Sequence, residues 1–455
     1  MAISNDSKVL LGFNNSQDVI NLQTKYTLFK RVVNIVFSVT CDEGYDPQLM
    51  TQALNKLFER NDCLRITFVK EGKQVKQFFA EHRTVGLIPT LKFDTYGKME
   101  AFINRFRRKP TNAYKGDVLR VVYAVNPEGK QMIFFKISHF VADTYGIGIL
   151  VNDLFAVYNA LRDGQELPPA PGSFFEIIRK DNEYRTSEAL KKDEEFFHDY
   201  IFNRHPEHPY YCGTHGNKSD RWMKEKLKGN FAKTYLFVRC DTIGYQFTIP
   251  ASINERALKW CEANAISLSS FYYYTCSIAQ SLINDRCEKV LNLELLNCRG
   301  TVADRKAAGT KAQSIVIYTP VDYAKSFIDN IKPVYDEQQE IYRHTRMSYL
   351  DIEAMQHKAW NYSMLRSVNG VAFSFIPLAA PKGIRLEVHS NGKGALFTYM
   401  ALIHDINTNE VYVNYDVQKL MVTAQQLIDF QNQYIRVIEG VLARPDAALE
   451  EVFPA

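Results

Sequence analysis

The segment Phe134-Phe135-Lys136-Ile137-Ser138-His139-Phe140-Val141-Ala142-Asp143-Thr144-Tyr145-Gly146-Ile147-Gly148 passes from strand to helix within fifteen residues. Met132 to Ile137 is a β-branched and aromatic run suited to a buried strand. Ile147, Leu150, Val151, Leu154, Tyr158 and Leu161 recur at helical spacing, so an amphipathic helix starts at about Thr144. The short turn between them carries His139 and Asp143. Such junctions place polar side chains at the edge of a rigid sheet, where clefts form. A neutral His there can take a proton from an incoming nucleophile, because its pKa lies near working pH. A plainer reading fits the same residues: His139 as a satisfied core histidine and Asp143 as the cap of the following helix. A His four residues before an Asp is too short a pattern to choose between them.

Outward from this segment, strand and helix signals alternate. Val32 to Val39 is a second strand run, and Leu49, Leu54 and Leu57 belong to a helix after it. Leu167-Pro168-Pro169-Ala170-Pro171-Gly172 cannot continue a helix and reads as a stiff connector. Beyond it come a charged helical stretch from Phe174 to about Phe202 and a polar loop to about Lys228. A strand signal follows at Tyr245 to Ile249, then a buried helix around Ala257 to Ile283. A chain of 455 residues exceeds one hydrophobic core, and the simplest division is two α/β halves, 1–172 and 173–455. No repeat or low-complexity stretch points to a solenoid or a disordered tail.

Composition removes several classes of function. A net charge of +4 without a basic tract argues against following a nucleic-acid backbone or coating a membrane. No apolar run approaches the ~20 residues of a membrane helix. Met1-Ala2-Ile3-Ser4-Asn5-Asp6 lacks the basic and apolar regions of a signal peptide, so the expected compartment is the cytoplasm. The eight cysteines (Cys41, Cys63, Cys212, Cys240, Cys261, Cys276, Cys287, Cys298) are scattered and read as buried free thiols, with no metal-ligand spacing. His205 and His208 flank Pro206 in a polar loop and read as solvated residues, not ligands.

The His139 segment resembles the His-His-x-x-x-Asp-Gly motif of the superfamily that contains chloramphenicol acetyltransferase and the condensation domains of nonribosomal peptide synthetases. Ile147-Gly148-Ile149-Leu150-Val151-Asn152-Asp153-Leu154 looks like the helix after that motif. Glu59-Arg60-Asn61-Asp62-Cys63-Leu64-Arg65-Ile66-Thr67-Phe68 is similar to the family's Arg-His-Glu-x-Leu-Arg-Thr-x-Phe segment. Asn297-Cys298-Arg299 is followed ten residues later by Gly309 and then by Gln313-Ser314, matching an Arg before an Ile-Gly-x-Phe-Val-Asn-Thr stretch. His344 with Tyr349 and Leu350 is similar to a His-Gln-Asp-x-Pro-Phe segment, and Tyr415-Asp416 with Arg444-Pro445-Asp446 looks like the family's ending. These marks run in the family's order over nearly the whole chain.

The resemblance implies two chloramphenicol-acetyltransferase-like subdomains set in a V, with a central channel and His139 near its middle. It implies an acyltransferase that moves an acyl group from a thioester to an amine or hydroxyl acceptor. The donor would ride on coenzyme A or on the phosphopantetheine of an acyl- or peptidyl-carrier protein, with no cofactor bound. His139 matches the catalytic His, and Asp143 matches an Asp that pairs with an Arg of the other half, here Arg299. Asn297, Gln313 and Ser314 are candidate channel-lining residues. No covalent acyl-enzyme is implied, because no Ser or Cys sits in a nucleophile setting. The chain reads as free-standing and monomeric.

The motif also departs from the family. Ser138 stands where the first His belongs, and Thr144 replaces a Gly that leaves room for the thioester. Gly146, two residues on, is the candidate for restoring that room. Ala308-Gly309-Thr310-Lys311-Ala312 is polar where the family is apolar. These departures favour an alternative, a non-catalytic condensation-like module that keeps the fold and docks a carrier protein.

Overall fold

The computed structural model describes residues 9–27, 30–72, 74–206, 213–214, 241–361, 370–394, 398–419 and 422–454. His208, Cys212, Cys240 and most of the polar loop to Lys228 lie outside them. The chain forms two compact units. One is Met1–Leu190 with Asn297–Ala312 and Ala379–Gly392; the other is Lys191–Leu296 with Gln313–Leu378 and Lys393–Ala455.

The first unit contains β1 (Asn34–Cys41), β2 (Ile66–Glu71), β3 (Gln74–Phe79), β4 (Thr90–Lys92), β5 (Leu119–Val125), β6 (Gln131–Ser138) and, from late in the chain, β11 (Ile384–His389). A five-stranded sheet runs β11-β1-β6-β5-β4, and β2 and β3 form a separate hairpin. Side chains alternate across β6, and the two faces of the sheet bury different partners. Phe135 and Ile137 join the large core with Phe37, Leu54, Leu57, Leu150 and Leu154 from β1 and the helices Pro47–Arg60 and Thr144–Arg162. Phe134 and Met132 face the other way, under Phe102 and Phe106 of the helix Tyr96–Arg108.

Lys136 sits mid-strand on that second face, fully buried. Its ammonium bonds to the carbonyls of Phe106 and Lys109 and lies 4.3 Å from the centre of the Phe106 ring. It thereby caps the C-terminal end of that helix, which explains a lysine in an apolar strand. Burial pushes its pKa down to about 8.

The proline connector does not interrupt the packing of this unit. Arg60 binds both Asp153 and the carbonyl of Pro169. Asp62 accepts hydrogen bonds from the Ser173 hydroxyl and the backbone N–H groups of Phe174 and Phe175, fixing the start of the helix Phe174–Tyr184. The charged stretch expected to run to Phe202 is two helices, Phe174–Tyr184 and Glu188–Asp199, followed by a π-turn over Tyr200–Arg204. Ser187 and Thr186 break it, because their hydroxyls bond back to the carbonyls of Tyr184 and Glu183.

The second unit contains β7 (Thr242–Ile249), β8 (Lys289–Leu296), β9 (Gln313–Pro320), β10 (Ala372–Leu378), β12 (Thr398–Asp405) and β13 (Val411–Gln418), in the order β7-β13-β12-β10-β8-β9. β10 runs parallel to both neighbours and the other pairings are antiparallel. The buried helix expected around 257–283 is two helices, Ala251–Asn264 and Leu268–Ile283. Ala265 adopts a left-handed conformation (φ 56°) between them, and Ser267 caps the second. His205 is not a solvated loop residue as its polar surroundings imply. Its ring stacks on Tyr318 at 4.1 Å, and Nε2 lies 3.3 Å from Glu337.

Cys41, Cys63, Cys261 and Cys276 are buried free thiols, whereas Cys287 and Cys298 are half-buried. Among the described residues no helix is long and apolar enough to cross a membrane, and no cluster of His, Cys, Asp and Glu could hold a metal ion.

Glu294 on β8 is a buried carboxyl that accepts from Gln338 Nε2 at 3.0 Å and from the Tyr342 hydroxyl at 2.7 Å. Burial outweighs these bonds and pushes its pKa up from 4.5 to about 7. An acid whose folded pKa is raised costs stability as pH climbs, because only the unfolded chain loses the proton easily. We expect stability to fall by up to about 3 kcal/mol as pH rises from about 4.5 to about 7, and to level off above that. Glu294→Gln should remove this component and stabilise the chain at pH 8. Urea unfolding at pH 5 and pH 8 reads both effects, and an identical pH dependence in the variant would refute them.

Candidate active site

β6 delivers His139 through a tight turn. Ser138 pairs with Val118 through its N–H (2.8 Å), the His139 N–H donates to the Val33 carbonyl (2.8 Å), and Val141 N–H closes the turn onto the Ser138 carbonyl (3.0 Å). Phe140 anchors it from below, packed among Phe13, Phe68 and Tyr114 at ring distances of 5.4–5.7 Å. Its carbonyl accepts from Gln17 Nε2 at 3.0 Å. With Ser138 and Phe140 buried on either side, His139 is the residue of the turn that keeps partial exposure.

The protein around the ring holds the imidazole below its ordinary pKa by excluding water, with Asp143 pulling weakly the other way. His139 is therefore neutral at pH 7. The backbone carbonyl of residue 139 also favours the charged ring, to a smaller extent. With the ring proton on Nδ1, Nε2 presents a lone pair. Among the described residues nothing hydrogen-bonds to Nε2. A neutral, partly exposed imidazole with a free Nε2 can accept a proton from an amine or alcohol.

Asp143 caps the helix Thr144–Arg162 through Gly146 N–H at 2.7 Å, as the plainer reading anticipated, but it does more. Both guanidinium ends of Arg299 grip its carboxylate, at 3.0 and 3.1 Å. The backbone N–H groups of Lys311 (2.8 Å) and Ala312 (2.9 Å) complete its shell. Burial works against the charge, yet Arg299 and these N–H groups outweigh it and hold the carboxyl below its ordinary value. Arg299 also donates to the Gly309 carbonyl at 2.7 Å and lies over the Tyr145 ring at 4.7 Å. Its segment, Asn297–Ala312, packs as part of the first unit, so this pair joins residues of one unit.

The departures from the expected motif take definite places. Ser138 is buried and its hydroxyl has no partner, so it does not support the ring of His139. Thr144 is the first residue of the helix and is partly exposed. Gly146 leaves no room for a substrate. A Cβ there would meet the Gly309 carbonyl at 2.6 Å and its nitrogen at 2.9 Å, so the space beside it is filled by backbone. Gly309 is as constrained, with φ +126° and the Phe174 ring 2.2 Å from any added Cβ.

Asn297 is exposed, and its side chain accepts from Arg299 N–H at 3.1 Å, shaping the turn that presents Arg299. Gln313, in the second unit, bonds to the Thr345 carbonyl (2.8 Å) and Tyr349 N–H (3.3 Å), so both ends of its amide are occupied. Ser314 follows it on β9, opposite Leu295. His344 is held by Asp193 at 2.8 Å and stacks on Phe196 at 3.9 Å. Sequence reasoning missed Thr310, whose hydroxyl lies 3.4 Å from His139 Nδ1, as well as Asn14 and Ser16, which bind the carbonyls of Thr310 and Ala312.

Residues 17–230 match the family model of the condensation domain. A variant of the starter condensation domain of rhizomide synthetase RzmA, in complex with C8-CoA, superposes with a TM-score of 0.81 at 15% identity, covering 97% of each chain. The chain has the fold of a condensation domain. The first condensation domain of the calcium-dependent antibiotic synthetase, in complex with a substrate analogue, gives a TM-score of 0.80 at 15% identity over 97% of this chain and 99% of the other. Surfactin synthase subunit 1 of Bacillus subtilis (strain 168) is 19% identical over 432 residues, which are 90% of this chain but only 11% of the synthase. Bacitracin synthase 1 of Bacillus licheniformis is 23% identical over 171 residues, 36% of this chain and 3% of that synthase.

Proposed function

We propose that this chain is an acyltransferase that moves an acyl group from a thioester to an amine or hydroxyl. The observation that carries the reading is the neutral, partly exposed imidazole of His139 with Nε2 unoccupied, on a turn braced by the Asp143–Arg299 pair. The acceptor's nitrogen or oxygen attacks the thioester carbonyl while its proton passes to Nε2. A C–N or C–O bond forms, the C–S bond breaks, and the departing thiolate takes the proton back from the imidazolium. A thioester is already activated, so positioning two substrates and moving one proton suffices.

The donor is carried on coenzyme A or on the phosphopantetheine of a carrier protein, and the setting is the cytoplasm. The relatives and neighbours support this choice: they include surfactin and bacitracin synthases, and one domain was solved with C8-CoA. Incubation of the chain with acyl-CoAs and with acyl-loaded carrier proteins, each with amine and alcohol acceptors, tests it. Product from either donor class is the expected outcome. No product from any combination would leave a docking module without transfer chemistry.

A further inference from the structure

We propose that Thr310 is a positioning residue for His139, holding the imidazole so that Nε2 faces the acyl acceptor; this deepens the acyl-transfer reading and rests on it. Thr310 is fully buried, and its hydroxyl lies 3.4 Å from His139 Nδ1. Among the described residues its side chain has no other hydrogen-bond partner. That contact is long for a hydrogen bond, so its worth depends on how firmly the hydroxyl is held.

The backbone around Thr310 is held on every side. Gly309 before it is pinned beneath Phe174 in a conformation open to glycine. The Thr310 carbonyl accepts from Asn14 Nδ2 at 2.8 Å. Lys311 and Ala312 after it donate their N–H groups to Asp143. Lys311 Nζ pairs with Asp181 at 3.1 Å, and the Ala312 carbonyl accepts from the Ser16 hydroxyl at 2.5 Å. A β-branched side chain on so fixed a backbone has little rotamer freedom of its own.

The ring has few other restraints. An imidazole turns easily about its second side-chain torsion, so a partner at Nδ1 fixes the direction of Nε2. When Nε2 takes the acceptor's proton, the positive charge spreads to the Nδ1 side. There the carbonyl of residue 139 and the Thr310 oxygen are the acceptors that favour the charged ring. Ser138, adjacent in sequence, gives no such help, because its hydroxyl is buried without a partner. Support for the imidazole thus comes from the polar segment late in the chain.

Thr310→Val keeps the shape and removes the hydroxyl; Thr310→Ser keeps the hydroxyl. NMR of the full chain labelled with 15N-histidine, without substrate, follows the His139 ring nitrogens through a pH titration, assigned by their loss in His139→Ala. In Thr310→Val we expect the titration to move to lower pH and kcat for transfer to fall about tenfold with KM unchanged. Thr310→Ser should restore both. Thr310→Ala replaces the valine variant if the second methyl prevents folding.

A His139 titration in Thr310→Val that matches the parent overturns the proposal, whether or not the parent transfers acyl groups. If the titration moves but the parent shows no transfer, the acyl-transfer reading fails, and Thr310 stands as the group that orients His139.

Discussion

Arg299→Ala should lower stability by about 3–5 kcal/mol, the usual cost of leaving one partner of a buried ion pair behind. Arg299 and Asp143 are both nearly inaccessible, with side-chain exposures of 0% and 4%. The substitution removes two charge-assisted bonds from the carboxylate and one donor from the Gly309 carbonyl. Three backbone N–H groups remain on Asp143, from Gly146, Lys311 and Ala312. They cannot neutralise its charge, so the group either stays ionised at high cost or takes up a proton.

The pH dependence has a definite sign. A carboxyl held below its ordinary value adds stability above the ordinary carboxylate range and loses it as pH falls through the folded value. In Arg299→Ala this acid-side component should shrink. Asp143→Asn combined with Arg299→Met should recover part of the loss, because no unpaired charge is left behind. Urea midpoints of the parent, the single variant and the double variant measure all of this. A single variant as stable as the parent would contradict the assigned role of the pair.

The parts of this site that were legible in the sequence are the local ones. In residues 132–161 the side-chain period changes from two to 3.6 across a turn that holds His139 and Asp143, and β6 and its helix follow that pattern closely. Breaks that lack a composition signal were not legible. Ala265 takes a left-handed conformation that a glycine would have advertised, and the hydroxyls of Thr186 and Ser187 stop a helix whose charge pattern runs on.

The hub around Asp143 was legible only in part. The spacing of Arg299 and Gly309 singled both out, but the polar run Ala308–Ala312 counted against the site. In the structure that run serves it, mainly through main-chain N–H groups that any residue supplies, about 170 positions from Asp143. Main-chain donors leave no mark in the sequence, and neither does the close approach of Gly309 to Gly146.

His139→Ala should reduce acyl transfer by roughly 10²–10⁴-fold, the range typical of losing a positioned proton acceptor. The same change should leave folding nearly untouched. The bond from residue 139 to the Val33 carbonyl is made by backbone and survives, and the turn is held by the buried ring of Phe140. Loss of rate without loss of stability therefore separates chemistry from packing, which Arg299→Ala does not. The deciding measurement is the single-turnover rate of acyl transfer by the parent and by His139→Ala, with one thioester donor and one acceptor at matched urea midpoints. The account predicts a variant at least about a hundredfold slower; equal rates in the two proteins would contradict it.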